Sequence, residues 1–270
     1  MTTEELRKVQ LAQYELLKII DDICKKNSII YYMAYGTLLG AVRHQGSIPW
    51  DNDIDIWMTF DNYLKFLKVK NQMPKDYYIY NFGKPDDDNC SVVRVIKKAN
   101  NGFTISKDNI NYALGVTIDI FILYPAKKMN VLRRKITKPL ISYLNVAKLN
   151  EIERKILLDH FKHNKLKQLL VHTSTPIGKL LGERRIESFI LKWLIDKTGQ
   201  SSDEYVVATS GRTYKKEWFN NTIELRYEES MFMAPSGWDV ILKHIYNNYM
   251  ELPPENERFV SSMNNYSLNI

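Results

Sequence analysis

Residues 35–57, YGTLLGAVRHQGSIPWDNDIDIW, constrain the fold more than any other stretch of the chain. A Gly36-Thr37 turn opens a short apolar segment in which Leu38, Leu39 and Val42 share one helical face. Gln45-Gly46-Ser47 breaks that segment, and Pro49 forbids a helix through this point. Asp51, Asp53 and Asp55 then alternate with Asn52 and Ile54 and run directly into apolar residues. On an extended chain residues i, i+2 and i+4 point the same way, so the three aspartates share one face at the mouth of a strand. Like charges this close raise one another's pKa unless a cation neutralises them. Hard oxygen ligands of this kind suit Mg²⁺ or Mn²⁺. Backbone N–H groups at Gly36-Thr37 are suitably placed to meet a phosphate. A carboxylate metal site beside a phosphate cradle reads as phosphoryl-transfer chemistry.

The rest of the pattern is strand-rich in the first half and helical in the second, which predicts an α+β chain. Residues 2–27 carry a Thr2/Glu5 capping box and apolar residues at helical spacing from Leu6 to Ile23. Strands are expected at 29–34, 54–59, 77–80, 92–96, 116–123, 205–208 and 222–226, and a short helix at 63–69. The run VTIDIFIL at 116–123 is the most strand-like of these and holds one charge, Asp119, between large apolar neighbours. A lone carboxylate there is costly unless paired or bound to a cation, which marks Asp119 as a site residue. Residues 127–197 read as two to four helices with a break near 173–176, and 238–250 as a last helix stopped by Leu252-Pro253-Pro254.

Composition narrows the class. Cys24 and Cys90 show no metal spacing and make no disulfide framework, so a reducing cytoplasm is the default. No apolar leader or membrane-length apolar run is present. The net charge of +7 is unevenly placed. Lys127, Lys128, Arg133, Arg134, Lys135 and Lys138 form one cluster, and Arg154, Lys155, Lys162, Lys165 and Lys167 another. Such a face is either a solvated helix surface or a partner for a polyanion. Aromatics do not interleave with these charges as they do on single-strand-binding surfaces, which argues against nucleic acid. A membrane-bound or phosphate-rich acceptor fits better, with peripheral association at the inner face of the plasma membrane through the basic helices.

Competing readings of DNDID fall away in turn. An EF-hand loop needs Gly at its sixth position and Glu at its twelfth, where this chain has Ile56 and Asn62. A lone Asp-x-Asp of a nucleotide-sugar glycosyltransferase leaves Gly36-Thr37 and Asp119 unexplained. The order of Gly36-Thr37, Asp53-Ile54-Asp55 and Asp119 resembles a polymerase-β-like nucleotidyltransferase core, which implies a mixed β-sheet with additional helices. GTLLGAVRHQGSIPWDNDIDI, VTIDIF and APSGWDVILKHIYNNYMELPPENER together resemble the LicD family of phosphotransferases, a branch of that superfamily related to the fukutin-type transferases. The pattern and the resemblance together give three regions of one continuous structural unit: 1–126 as the catalytic core, 127–200 as a basic helical, acceptor-side region, and 201–270 as C-terminal strands and a closing helix packed on the core. Departures fall at Asn52, Ile122 and Tyr124, and at Phe259 and Ser261, where the family often carries histidine.

The family implies transfer of phosphocholine from CDP-choline to a hydroxyl of a bacterial surface glycan, such as capsule, teichoic acid or lipopolysaccharide. Ethanolamine, glycerol or ribitol donors, nucleotidyl transfer, and a non-catalytic binding protein are the alternatives. On this reading Asp53 and Asp55 hold one or two Mg²⁺ (or Mn²⁺) ions. Asp119 completes the metal site and takes the acceptor proton. Gly36, Thr37 and Arg43 meet the phosphates, with Arg94 as a second phosphate contact and Asp51 as an outer partner. A quaternary ammonium needs an aromatic box, for which Trp57 and its aromatic neighbours are candidates.

Overall fold

The chain is seen in a computed structural model that describes residues 2–81, 92–97, 104–107, 110–113, 116–149, 151–162, 164–196, 198, 202–255 and 258. Cys90 and the Phe259/Ser261 positions lie outside the described residues. Two compact units emerge, one from residues 1–86, 92–122 and 216–270, the other built on residues 123–215.

The first unit starts with helix α1 (Thr3–Lys26), whose Thr2 hydroxyl caps Glu5 N–H while Glu5 returns a bond to Thr2. Its buried stripe runs from Leu6 through Leu16, Leu17 and Ile20 to Cys24. Strand β1 is only Tyr32–Met33. The expected strand over 29–34 is cut short because the Ile29 amide donates to Cys24 O and the Ile30 amide to Asn62 Oδ1, so neither can join a ladder. Helix α2 (Tyr35–His44) takes in the Gly36-Thr37 turn as its own first turn and ends at Gln45, which has a left-handed backbone (φ 55°). Strand β2 (Asp55–Thr59) and helix α3 (Phe60–Lys68) follow, then β3 (Tyr77–Asn81), β4 (Val92–Lys97), β5 (Thr104–Lys107), β6 (Ile110–Ala113) and β7 (Thr117–Pro125). The sheet runs β1-β2-β7-β4-β3, while β5 and β6 pair separately. β7 is an inner strand, and its burial alternates, with Ile118 and Ile120 in the core and Asp119 and Phe121 half-buried on the other face. That alternation is what a sheet with one packed face and one wetter face requires.

The second unit holds helices α4 (Val131–Lys148), α5 (Glu151–His160), α6 (Lys165–Leu181) and α7 (Glu183–Leu194). Strands β8 (Glu204–Val207) and β9 (Arg212–Lys215) extend from the end of β7, where Leu123 faces Val207. The expected break near 173–176 does not occur: α6 runs through Pro176. A mid-helix proline costs roughly 3 kcal/mol. Packing overrides it, since α6 presses so closely on α4 that a Cβ on Gly178 would collide with Ala147 O. The break falls instead at Gly182, whose φ of 73° favours glycine.

The chain then returns to the first unit with the antiparallel pair β10 (Thr222–Tyr227) and β11 (Ser230–Pro235), the latter lying against β1. Helix α8 (Trp238–Tyr246) ends four residues before the expected stop, at Asn247 with φ 58°. The α+β class stands: the described residues form eight helices and a mixed sheet.

Candidate active site

The carboxylates are placed by three elements. Helix α1 reaches across with two buried glutamines. Gln10 Nε2 donates to Ile48 O (3.0 Å) and Asp51 O (2.8 Å), and Gln13 Nε2 donates to Asn52 O (3.0 Å) and Thr117 O (3.2 Å). These four bonds fix the loop that carries Asp51 and Asp53 and tie it to the start of β7. Helix α2 supplies the second brace: the Thr37 hydroxyl accepts from Asp55 N–H at 2.8 Å and locks the entrance of β2 to the helix N-terminus. The third is the ladder, in which Asp119 N–H donates to Ile54 O at 3.1 Å and sets β7 beside β2.

Asp51, Asp53, Asp55 and Asp119 thereby come close enough to feel one another. Burial, then the Asp53 charge, pushes the Asp51 carboxyl up to about 8. Asp55 is held well above the usual carboxylate range, first by burial and then by Asp53, Asp119 and Asp51 in turn. Asp53 also rises through desolvation, although its side chain is open to solvent along one side. Protein crowds the carboxyl more than the exposed area suggests, and the nearby Asp119 charge adds to the rise. A hydrogen bond with Asp51 and the Arg94 charge pull it back.

Arg94 is the counter-charge inside the cluster. It stands directly opposite Asp119 in the β4–β7 register and forks onto it, Nε to Oδ1 at 2.5 Å and Nη2 to Oδ2 at 2.7 Å. This bidentate pair resolves the cost of a charge in β7. It also means that the second phosphate contact expected of Arg94 is, in this structure, a carboxylate contact.

Gly36 and Thr37 are the second and third residues of α2, and helical bonding to the backbone begins only with Leu38 N–H to Ala34 O. Their amides therefore belong to the unsatisfied, partly positive end of a helix. The Asp51 carboxylate lies over this end so closely that a Cβ on Gly36 would collide with it. Asp51 thus occupies the approach to the expected phosphate cradle.

Two other expected residues sit differently. Arg43 donates to Tyr249 O (2.8 Å) and Glu251 O (3.2 Å), so it ties α2 to the segment after α8. Trp57 is wholly buried, edge-on to Tyr35 (4.9 Å between centroids), and can line nothing itself. The half-buried aromatics in front of it are Tyr35 and Phe121, 5.1 Å apart and edge-to-face. Phe121 was not singled out from the sequence, although it stands two residues beyond Asp119 on the same strand face. Gln10 and Gln13 were also missed; two amides within the apolar stripe of α1 were the available signal. The pair of Arg7 with Glu228 (2.6 Å) is a further brace, since Glu228 also accepts from Ser47 N–H. That pairing holds the Glu228 carboxyl down to about 2.

Among the described residues no group of three or more His, Cys, Asp or Glu side chains stands ready-made around a metal position. The oxygen donors of Asp53 and Asp55 nevertheless suit a hard divalent ion, which would offset both the burial and the neighbouring charge that raise their carboxyls. The chemistry of the site fits a cation bound together with an anionic ligand better than one caged by protein alone.

Residues 28–143 match the model of the LicD/FKTN/FKRP nucleotidyltransferase domain. The chain is 28% identical over 270 residues to the lipopolysaccharide cholinephosphotransferase LicD of Haemophilus influenzae, covering 94% of each. It is 32% identical over 99 residues to an uncharacterized protein of Rickettsia prowazekii, covering 36% of this chain and 37% of that one. The stretch that resembles this domain contains all nine site residues named from the sequence, from Gly36 to Asp119.

Proposed function

We propose that the protein transfers phosphocholine from CDP-choline to a hydroxyl of a bacterial surface glycan and releases CMP. The observation that carries this is the convergence of four carboxylates and Arg94 at the N-terminus of α2. It is supported by alignment over 94% of the chain to a lipopolysaccharide cholinephosphotransferase. The acceptor oxygen forms a bond to the phosphorus bearing choline, the bond from that phosphorus to the CMP oxygen breaks, and the acceptor proton passes to a carboxylate. Such a transition state asks for positioning and charge stabilisation above all. Mg²⁺ or Mn²⁺, held by Asp53 and Asp55, would neutralise the donor diphosphate. Asp119 contributes to that set only through a carboxylate already shared with Arg94.

Asp51, whose carboxyl is pushed up to about 8, is suited to hold a proton near neutrality. The amides of Gly36 and Thr37 would receive phosphate oxygens once Asp51 swings aside or carries a proton. The half-buried faces of Tyr35 and Phe121 favour a quaternary ammonium over glycerol or ribitol. A nucleotide-activated donor places the reaction on the cytoplasmic side of the membrane.

The test is a panel of CDP-choline, CDP-ethanolamine, CDP-glycerol and CDP-ribitol, each with and without Mg²⁺, scored for CMP release with glycan acceptors. Metal-dependent CMP release greatest with CDP-choline is expected. Pyrophosphate release from a nucleoside triphosphate would replace this reading with nucleotidyl transfer. Tight binding of CDP-choline without turnover on any acceptor would favour a binding protein.

A further inference from the structure

Helix α6 is built inside out. Its buried side holds Val171 and Ser174, and Gly178 lies directly against Ala147 of α4. The adjoining face carries Leu166, Leu169, Leu170, Ile177, Leu180 and Leu181, spaced three and four residues apart. Five of these are exposed, Leu166 and Leu180 by 70% and 79%. A leucine stripe of more than four turns facing water is more apolar surface than a monomeric soluble protein normally displays. Charge surrounds it: Lys165, Lys167 and Lys179 are exposed on the same helix. Residues 123–215 hold 19 lysines and arginines against 8 acidic residues, half of the 38 basic residues in the chain.

We infer that α6 is a membrane-contacting helix that lies in the interface of an anionic lipid bilayer, leucines inward and lysines at the headgroups. No helix among the described residues is long and apolar enough to cross a membrane, so the contact is lateral. An interfacial helix needs two signals, buried apolar area and attraction to anionic lipid, and the second unit supplies both. A soluble polyanion would account for the lysines and leave the leucines without a role. A second copy of the chain would account for the leucines and set like charges against each other. The inference stands apart from the transfer reaction, because binding to lipid requires neither donor nor metal.

The test is flotation of the full chain with vesicles of phosphatidylcholine alone or of phosphatidylcholine with phosphatidylglycerol. Binding to the anionic vesicles, weakened by salt and reduced at least tenfold in Leu166→Ser/Leu180→Ser, is expected. Both substitutions fall on highly exposed side chains, so the melting temperature should not move. Leu169→Trp gives a second readout: its fluorescence should shift to the blue and be quenched by brominated acyl chains. Equal binding to both vesicle types, unchanged binding of the serine variant, or no quenching of the tryptophan would overturn the inference. So would a leucine-dependent dimer that ignores vesicles.

Discussion

Replacing Asp51 by asparagine should stabilise the metal-free protein at neutral and alkaline pH. In the folded chain the Asp51 carboxyl titrates at about 8, and in the unfolded chain near the ordinary 3.8. The folded state therefore binds the extra proton between those limits. Its contribution to stability is complete below the unfolded value and is lost progressively as pH rises to the folded one. One pKa unit corresponds to about 1.4 kcal/mol, so the group opposes folding by on the order of a few kcal/mol at pH values near 8. For a chain of this size that translates to a melting shift of roughly 5 °C or more. Asp51→Asn keeps the shape of the side chain and removes the titration. Thermal unfolding followed by circular dichroism in a chelator, from acid to pH near 8, should show the parent losing stability with pH while the variant loses less. Added Mg²⁺ should restore the parent at high pH through mass action on the folded state, by about 2.7 kcal/mol at a hundredfold excess over Kd. A parent whose stability is flat or rises over this window, or a variant less stable than the parent at its upper end, would refute the argument from crowded carboxylates.

Asp53→Asn and Asp55→Asn should each fold normally and lose phosphocholine transfer by about 10³-fold, measured as CMP release; near-normal turnover would remove them from the metal set. Arg94→Gln deprives Asp119 of its fork and adds to the local repulsion. With the pair partly exposed, a loss of about 1–3 kcal/mol in chelator is expected, with Mg²⁺ recovering more of it than in the parent. Gln13→Leu preserves bulk in the α1 stripe but frees two carbonyls; activity should fall roughly tenfold while CDP-choline binding changes little. A kinetic effect confined to KM would show that the loop is not what Gln13 positions.

Legibility from sequence followed the range of the forces involved. Helix α1 and strands β2 and β7 were readable because capping, 3.6-residue periodicity and β-branched runs are local. The lone charge in an apolar run marked Asp119 locally, whereas its convergence with Asp53 and Asp55 was implied by the resemblance to a nucleotidyltransferase core. The site's partners were harder. Nothing local distinguishes Arg43 bound to carbonyls after α8 from Arg43 bound to phosphate. Arg94 was named, but its pairing with Asp119 depends on the register of β4 against β7, which is a tertiary fact. Pro176 misled because its cost is local and the compensating α4–α6 contact is not. Residues 230–235 became β11 by pairing with β10, although their own pattern is no more strand-like than that of many loops.

The Gln13 amide holds carbonyls of Asn52 and Thr117 at once. A chain still being synthesised has α1 and the aspartate loop early but cannot make that double bond until β7 has emerged. β11, which lies against β1, arrives later still. The acidic loop thus cannot be tied down until the chain has been made through Thr117. Truncated products would carry the signature motif without the geometry that gives it chemistry, so a fragment ending before Thr117 should be inert even though every residue from Gly36 to Asp55 is in place.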